Sequence, residues 1–274
     1  LAYAGLLAMG FLALYGASNQ TVFGQTAENS LLGGYQDQTL IYVLYHYLDF
    51  PPFAHGEETA VVGVAIAALI AVRRRRWRDM ATVVVAAPVA IYATHVFKNV
   101  AGRPRLVISR DVDPSFPSGH FAVAAVVTVA LLIVVPSVWL KWCAPLLLGW
   151  TAMIGAGVQS MGWHRPSDVV GSALLVAAVF LVVGSLLSKS IKRVVVGQLW
   201  PGLVGLTIAL VIVALAVASA WKPKTWAVPY LAISALIATA LIGWVALRLC
   251  RTTDPTSVGT RSVEQPAVSG IPLS

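Results

Sequence analysis

Residues 117–136 read PSGHFAVAAVVTVALLIVVP, and this stretch decides the fold. From Phe121 onward the run is uncharged and long enough to serve a ~30 Å hydrocarbon core. Residues 119–136 are therefore read as a transmembrane helix, with Pro117-Ser118-Gly119-His120 at its N-terminus. The first amides of a helix lack intrahelical partners and favour an anion. Ser118 suits the N-cap position, and Gly119 lets the backbone approach an oxygen closely. His120 would then stand beside that oxygen, placed to donate a proton.

The rest of the chain repeats the pattern. Of 274 residues, 58% are hydrophobic and only 11% charged, with mean hydropathy +0.80. A soluble domain of this size carries about twice that share of charge. A membrane barrel would alternate polar and apolar residues in ~10-residue segments, and no such alternation is present. The expected fold is an all-α, polytopic transmembrane helical bundle, with spans near 1–18, 57–73, 80–98, 119–136, 142–161, 169–187, 202–220 and 227–248. Residues 1–18 are taken as a span rather than a signal-peptide core, and the N-terminus as trimmed.

The net charge of +8 does not indicate nucleic acid, since no extramembrane domain exists to bind it. Arg73, Arg74, Arg75, Arg76 and Arg78 form one block between two apolar runs, a positive-inside signal that also suits anionic membrane lipids. Alternation then puts Lys141, Lys189, Lys192, Arg193, Arg248 and Arg251 on the same inner side. Lys98, Arg103, Arg105, Arg110 and Arg165 fall on the outer side, against the trend. An anion that they hold explains this placement. Lys222 and Lys224, flanked by Trp221 and Trp226, read as interfacial anchors.

Smaller segments carry less. Residues 39–50 (TLIYVLYHYLDF) are too short to span and read as an aromatic interfacial helix. Asn19-Gln20-Thr21 matches a glycosylation acceptor. Cys143 and Cys250 offer neither a disulfide framework nor a thiolate metal site. Residues 252–274 read as a disordered inner tail.

His164 and Asp168 are spaced i, i+4, so on a helix they share a face. A carboxylate accepting from one ring nitrogen leaves the other unprotonated, and such an imidazole is a competent nucleophile. Only His46, His55 and Glu57 could add metal ligands, by folding the first loop over the site. No metal and no organic cofactor is expected. Lys98 and Arg105 supply fixed positive charge for phosphate oxygens. Arg103 and Arg165 are additional candidates, and Arg110 reads as a solvated charge.

In order along the chain, these residues resemble the type 2 phosphatidic acid phosphatase (PAP2) superfamily. That family's motifs are Lys, six residues, Arg-Pro; Pro-Ser-Gly-His; and Ser-Arg, five residues, His, three residues, Asp. Lys98 and Arg105 match the first, with Leu106 in place of proline. Residues 117–120 match the second fully. His164 and Asp168 match the end of the third, in surroundings (Trp163, Pro166, Ser167, Val169) similar to the family's. The Ser-Arg pair is missing: Gly157 and Val158 stand there. Loss of one such phosphate donor costs about 10²–10³ in rate, so Val158→Arg is expected to recover up to that factor.

The resemblance implies a six-helix core within residues 1–187, two further spans over 188–250, and a tail over 251–274. It implies an integral-membrane lipid phosphatase of the plasma membrane, with its active site on the extracytoplasmic side. His164 would attack phosphorus, Asp168 would orient it, and His120 would protonate the leaving oxygen and then activate water. Lys98, Arg105, Ser118 and Gly119 would hold the oxygens. The substrate class is a polyprenyl phosphate or diphosphate, or a phosphatidate-like glycerolipid. Two alternatives stand beside this: a transferase, in which an acceptor hydroxyl replaces water, and a non-catalytic lipid-binding or assembly subunit marked by Val158. The C-terminal spans could meet a membrane-protein partner or a second copy.

Overall fold

A computed structural model describes residues 1–32, 56–107, 115–187, 204, 206–208, 210–211 and 227–250. Eight helices are bounded among the described residues: α1 (Ala2–Asn19), α2 (Val22–Leu32), α3 (Gly56–Arg73), α4 (Trp77–Ala101), α5 (Gly119–Val134), α6 (Ser137–Ser160), α7 (Pro166–Leu187) and α8 (Val228–Leu249). No strand occurs among them. Seven of the expected spans are thus helices with ends shifted by a few residues. Most of 202–220 lies outside the described residues, as do 39–50 and 252–274.

Four helices, α4, α6, α7 and α8, are long and apolar enough to cross a membrane. They become five if α1 and α2, which meet at 80°, form one broken span. We take α1 as the spanning part. The 11 residues of α2 cover only about 16 Å and lie across the end of the bundle. Two expected spans fall short. α3 carries Glu57, Glu58 and Arg73 within its 18 residues, and α5 has 16 residues, about 24 Å against a ~30 Å core.

The short α5 is the central helix. It packs against α3, α4, α6, α7 and α8, and nearly all of it is buried. Its many alanines let neighbouring backbones come close, the usual way helices pack where lipid gives no hydrophobic drive. Polar side chains add cross-links. Thr128 and Thr151 share a hydrogen bond of 2.7 Å between α5 and α6, and Ser234 of α8 donates to Gln159 of α6 at 2.8 Å.

The two ends of the bundle differ in charge and in role. Arg74 and Arg76 donate to the Val134 carbonyl at 2.9 and 3.3 Å, closing the C-terminus of α5. The same end holds Arg248, stacked over Tyr3 and Trp244. His120 lies at the other end, with the C-terminus of α4 and the start of α7. There the Tyr15 hydroxyl donates to the Ala101 and Gly102 carbonyls at 2.6 and 2.9 Å, tying α1 to α4. Gly102, at φ 62°, ends α4 in a backbone region that side chains rarely adopt. Asn19 is buried with its amide donating to Ser18, which removes the glycosylation reading.

Candidate active site

The site is built on two helix N-termini, and main-chain bonds hold them together. Ser118 is the N-cap of α5, its hydroxyl accepting from the Phe121 amide at 3.3 Å. Its own amide donates to the Asp168 carbonyl at 3.0 Å. The Ser172 hydroxyl lies 2.7 Å from the Ser118 carbonyl and 2.9 Å from that of Asp168, and donates to them. Phe116, beside the cis Phe116–Pro117 bond, packs closely on α7 at Gly171, where a Cβ would come within 2.5 Å of its ring. At Gly119 a Cβ would meet nothing within 4 Å, so the first turn of α5 has room for a ligand beside its amides.

α6 ends in a turn that presents His164. The Val158 carbonyl accepts the amides of Trp163 and His164 at 3.0 and 3.1 Å, and Gly162 takes φ 72° between them. His164 is buried, and its Nδ1 stands 3.4 Å from Oδ2 of the fully buried Asp168. That contact falls short of hydrogen-bond geometry, a common state before substrate tightens a site. The His120 and His164 rings approach edge to face with centroids 5.8 Å apart, and Trp163 packs on His120 at 5.5 Å.

His164 and Asp168 do not share a helix, as their spacing suggested. α7 begins at Pro166, so His164 precedes it and Asp168 sits in its first turn. Arg165 is the N-cap: its amide donates to Asp168 Oδ2 at 2.8 Å, and its carbonyl accepts from the Asp168 amide at 3.0 Å. This is the reciprocal half of a capping box, with proline at the first helical position. Asp168 thereby fixes the turn that carries His164.

α2 supplies residues that the sequence motifs do not contain. Glu28 accepts from the Ser167 amide at 3.0 Å and from its hydroxyl at 2.8 Å. Burial, with the Asp168 carboxylate close by, pushes the Glu28 carboxyl up to about 7. Asn29 Oδ1 accepts from Arg165 Nε at 3.1 Å and from Arg103 Nη2 at 3.2 Å. Arg165 also donates from Nη1 to Ser115 at 2.6 Å. Gln25 donates to the Pro104 carbonyl at 2.7 Å, and its Oε1 lies 3.4 Å from the Leu106 amide. A proline at 106 would have no such N–H, which gives the leucine there a local reason.

Of the expected site residues, the structure brings Ser118, Gly119, His120, His164, Arg165 and Asp168 together, with Arg103 joined through Asn29. Lys98, half-buried in the last turn of α4, and Arg105, exposed beyond it, make no hydrogen bond or ion pair with these residues. Val158 is fully buried in the apolar core. No group of three metal-binding side chains occurs among the described residues; His46, His55 and Arg110 lie outside them.

Residues 38–192 match the family model of the PAP2 superfamily. The match contains all three motifs and begins after Glu28 and Asn29. No curated protein and no solved structure matches the chain.

Proposed function

This chain belongs to the PAP2 superfamily, whose members are generally phosphatases, and on that footing we propose that it is an integral-membrane lipid phosphatase. The observation that carries this reading is the facing pair of imidazoles, His120 and His164, with a carboxylate behind one of them. One ring can attack phosphorus while the other handles the leaving group's proton.

In the first step His164 Nε2 attacks phosphorus and the bond from phosphorus to the leaving oxygen breaks. Protonated His120 gives its proton to that oxygen. The Asp168 carboxylate keeps the proton of His164 on Nδ1 and stabilises the positive charge that develops there. In the second step water attacks the phosphohistidine, His120 takes its proton, and the N–P bond breaks to release phosphate. The first amides of α5, with Lys98 and Arg105, hold the phosphoryl oxygens. The substrate is a lipid phosphate or diphosphate of the polyprenyl or glycerolipid kind. The reaction occurs at the extracytoplasmic face, a side supported by the arginine block at the opposite end of α5.

Phosphate release from a panel of lipid phosphates, comparing the parent with His164→Ala, tests this proposal. Release by the parent that the substitution abolishes is the expected result. The buried Val158, where the family carries an arginine, favours one other reading, a non-catalytic lipid-binding subunit. A folded parent as inert as His164→Ala on every lipid would establish it.

A further inference from the structure

Arg103 brings a positive charge into the site and makes no ion pair with a carboxylate among the described residues. Nη2 donates to Asn29 Oδ1, while Nη1 is buried with no partner. Asn29 Oδ1 also accepts from Arg165 Nε, so two guanidiniums converge on one neutral oxygen. Burial, and then the charge of Arg165, hold the Arg103 guanidinium below its ordinary range. An anion between the two groups would relieve both effects. Among the described residues, Asp168 and Glu28 partly offset these effects but neither pairs with Arg103: Asp168 Oδ2 takes the Arg165 amide, and both Glu28 oxygens take Ser167. A guanidinium fork with a free N–H suits phosphate oxygens in particular.

The reacting phosphoryl group already has a position of its own, at the α5 N-terminus beside the two histidines. The cluster on α2 is separate from it and is linked to it through the Arg165–His164 peptide. We propose that Arg103, with Asn29 and Arg165, is a second phosphate position of this site, and that it selects lipid headgroups with two linked phosphates over those with one. The inference rests on the lipid phosphatase reading above. In such a substrate the terminal phosphorus lies at His164 and the lipid-bound phosphate at Arg103. Attack by His164 breaks the bridging P–O bond, His120 protonates the departing oxygen, and Arg103 carries the charge of the lipid monophosphate that leaves.

The test uses the full chain in detergent, with a prenyl monophosphate and the diphosphate of the same prenyl chain. The parent should prefer the diphosphate in kcat/KM. Arg103→Gln should cut the diphosphate-to-monophosphate ratio about tenfold or more, the effect of one charge-assisted bond. An unchanged ratio overturns the proposal, because Arg103 would then serve the reacting phosphoryl group or neither. Binding of inorganic pyrophosphate against inorganic phosphate gives a second measure that needs no turnover. Pyrophosphate binding that is tighter, and that Arg103→Gln weakens selectively, supports the second position; equal binding of the two anions overturns it. A parent that hydrolyses neither lipid defeats the phosphatase reading, and the pyrophosphate measurement still decides this one. Should Arg103→Gln fail to fold, Arg103→Lys, which keeps the charge and loses the fork, is read the same way.

Discussion

Oδ2 of Asp168 lies 3.4 Å from Nδ1 of His164 and accepts the Arg165 amide at 2.8 Å. One carboxylate oxygen thus meets the expected nucleophile and also the N-cap of the helix that follows it. Its two tasks, orienting an imidazole and closing a helix, have different consequences when it is changed.

Asp168→Asn keeps the side chain's size and an oxygen for the cap. It removes the charge that stabilises a positively charged His164, so kcat should fall by about 10²–10⁴-fold. The thermal midpoint should move much less, since an amide oxygen can still accept from Arg165. Steady-state kinetics beside a thermal unfolding curve checks both. A large loss of stability with kcat per folded molecule retained would assign Asp168 to the cap alone.

Glu28 gives stability a pH dependence whose sign follows from its environment. Its ordinary value of 4.5 is raised to about 7 in the folded protein, by burial first and by Asp168 second. The folded state therefore holds the proton more tightly than the unfolded chain. The resulting stabilisation is complete below 4.5 and is lost as pH rises through about 7. Glu28→Gln, which cannot ionise, should flatten the fall of the thermal midpoint across that window. Identical pH profiles for parent and variant would contradict the assignment.

Val158→Arg looked from the motif alone like a repair worth up to about 10²–10³-fold in rate. Its side chain is instead fully buried in the apolar core, where an arginine would be desolvated without a partner. The expected outcome is a lower thermal midpoint and no gain in turnover. A folded variant with a higher rate would show that position 158 can still reach the phosphate.

The spans were legible because membrane helices announce themselves through length and lack of charge, and Ser118 was legible as an N-cap because its helix starts at once. The start of α7 was also written in the chain, at Pro166. A proline has no N–H and takes the first helical position readily, which favours a start that leaves His164 and Arg165 before the helix, although Pro88 and Pro145 lie inside α4 and α6. The share of the site held by α2 was not legible from the motifs. Glu28 and Asn29 meet Ser167 and Arg165 across more than a hundred residues, and nothing local marks a loop segment that folds back over a bundle end. The one available signal was helical spacing of the polar residues Gln25, Glu28 and Asn29, which puts them on one face.

The most direct test of the central claim is covalent trapping. Protein is mixed with a lipid phosphate carrying radiolabel on its terminal phosphorus, quenched within the first turnovers, and assayed for label on the chain. The account predicts an acid-labile, alkali-stable phosphohistidine in the parent, absent from His164→Ala. It should accumulate further in His120→Ala with a substrate whose leaving group needs no protonation, because water then lacks its base. Phosphate released at the parental rate by His164→Ala, or label that persists on that variant, would contradict it.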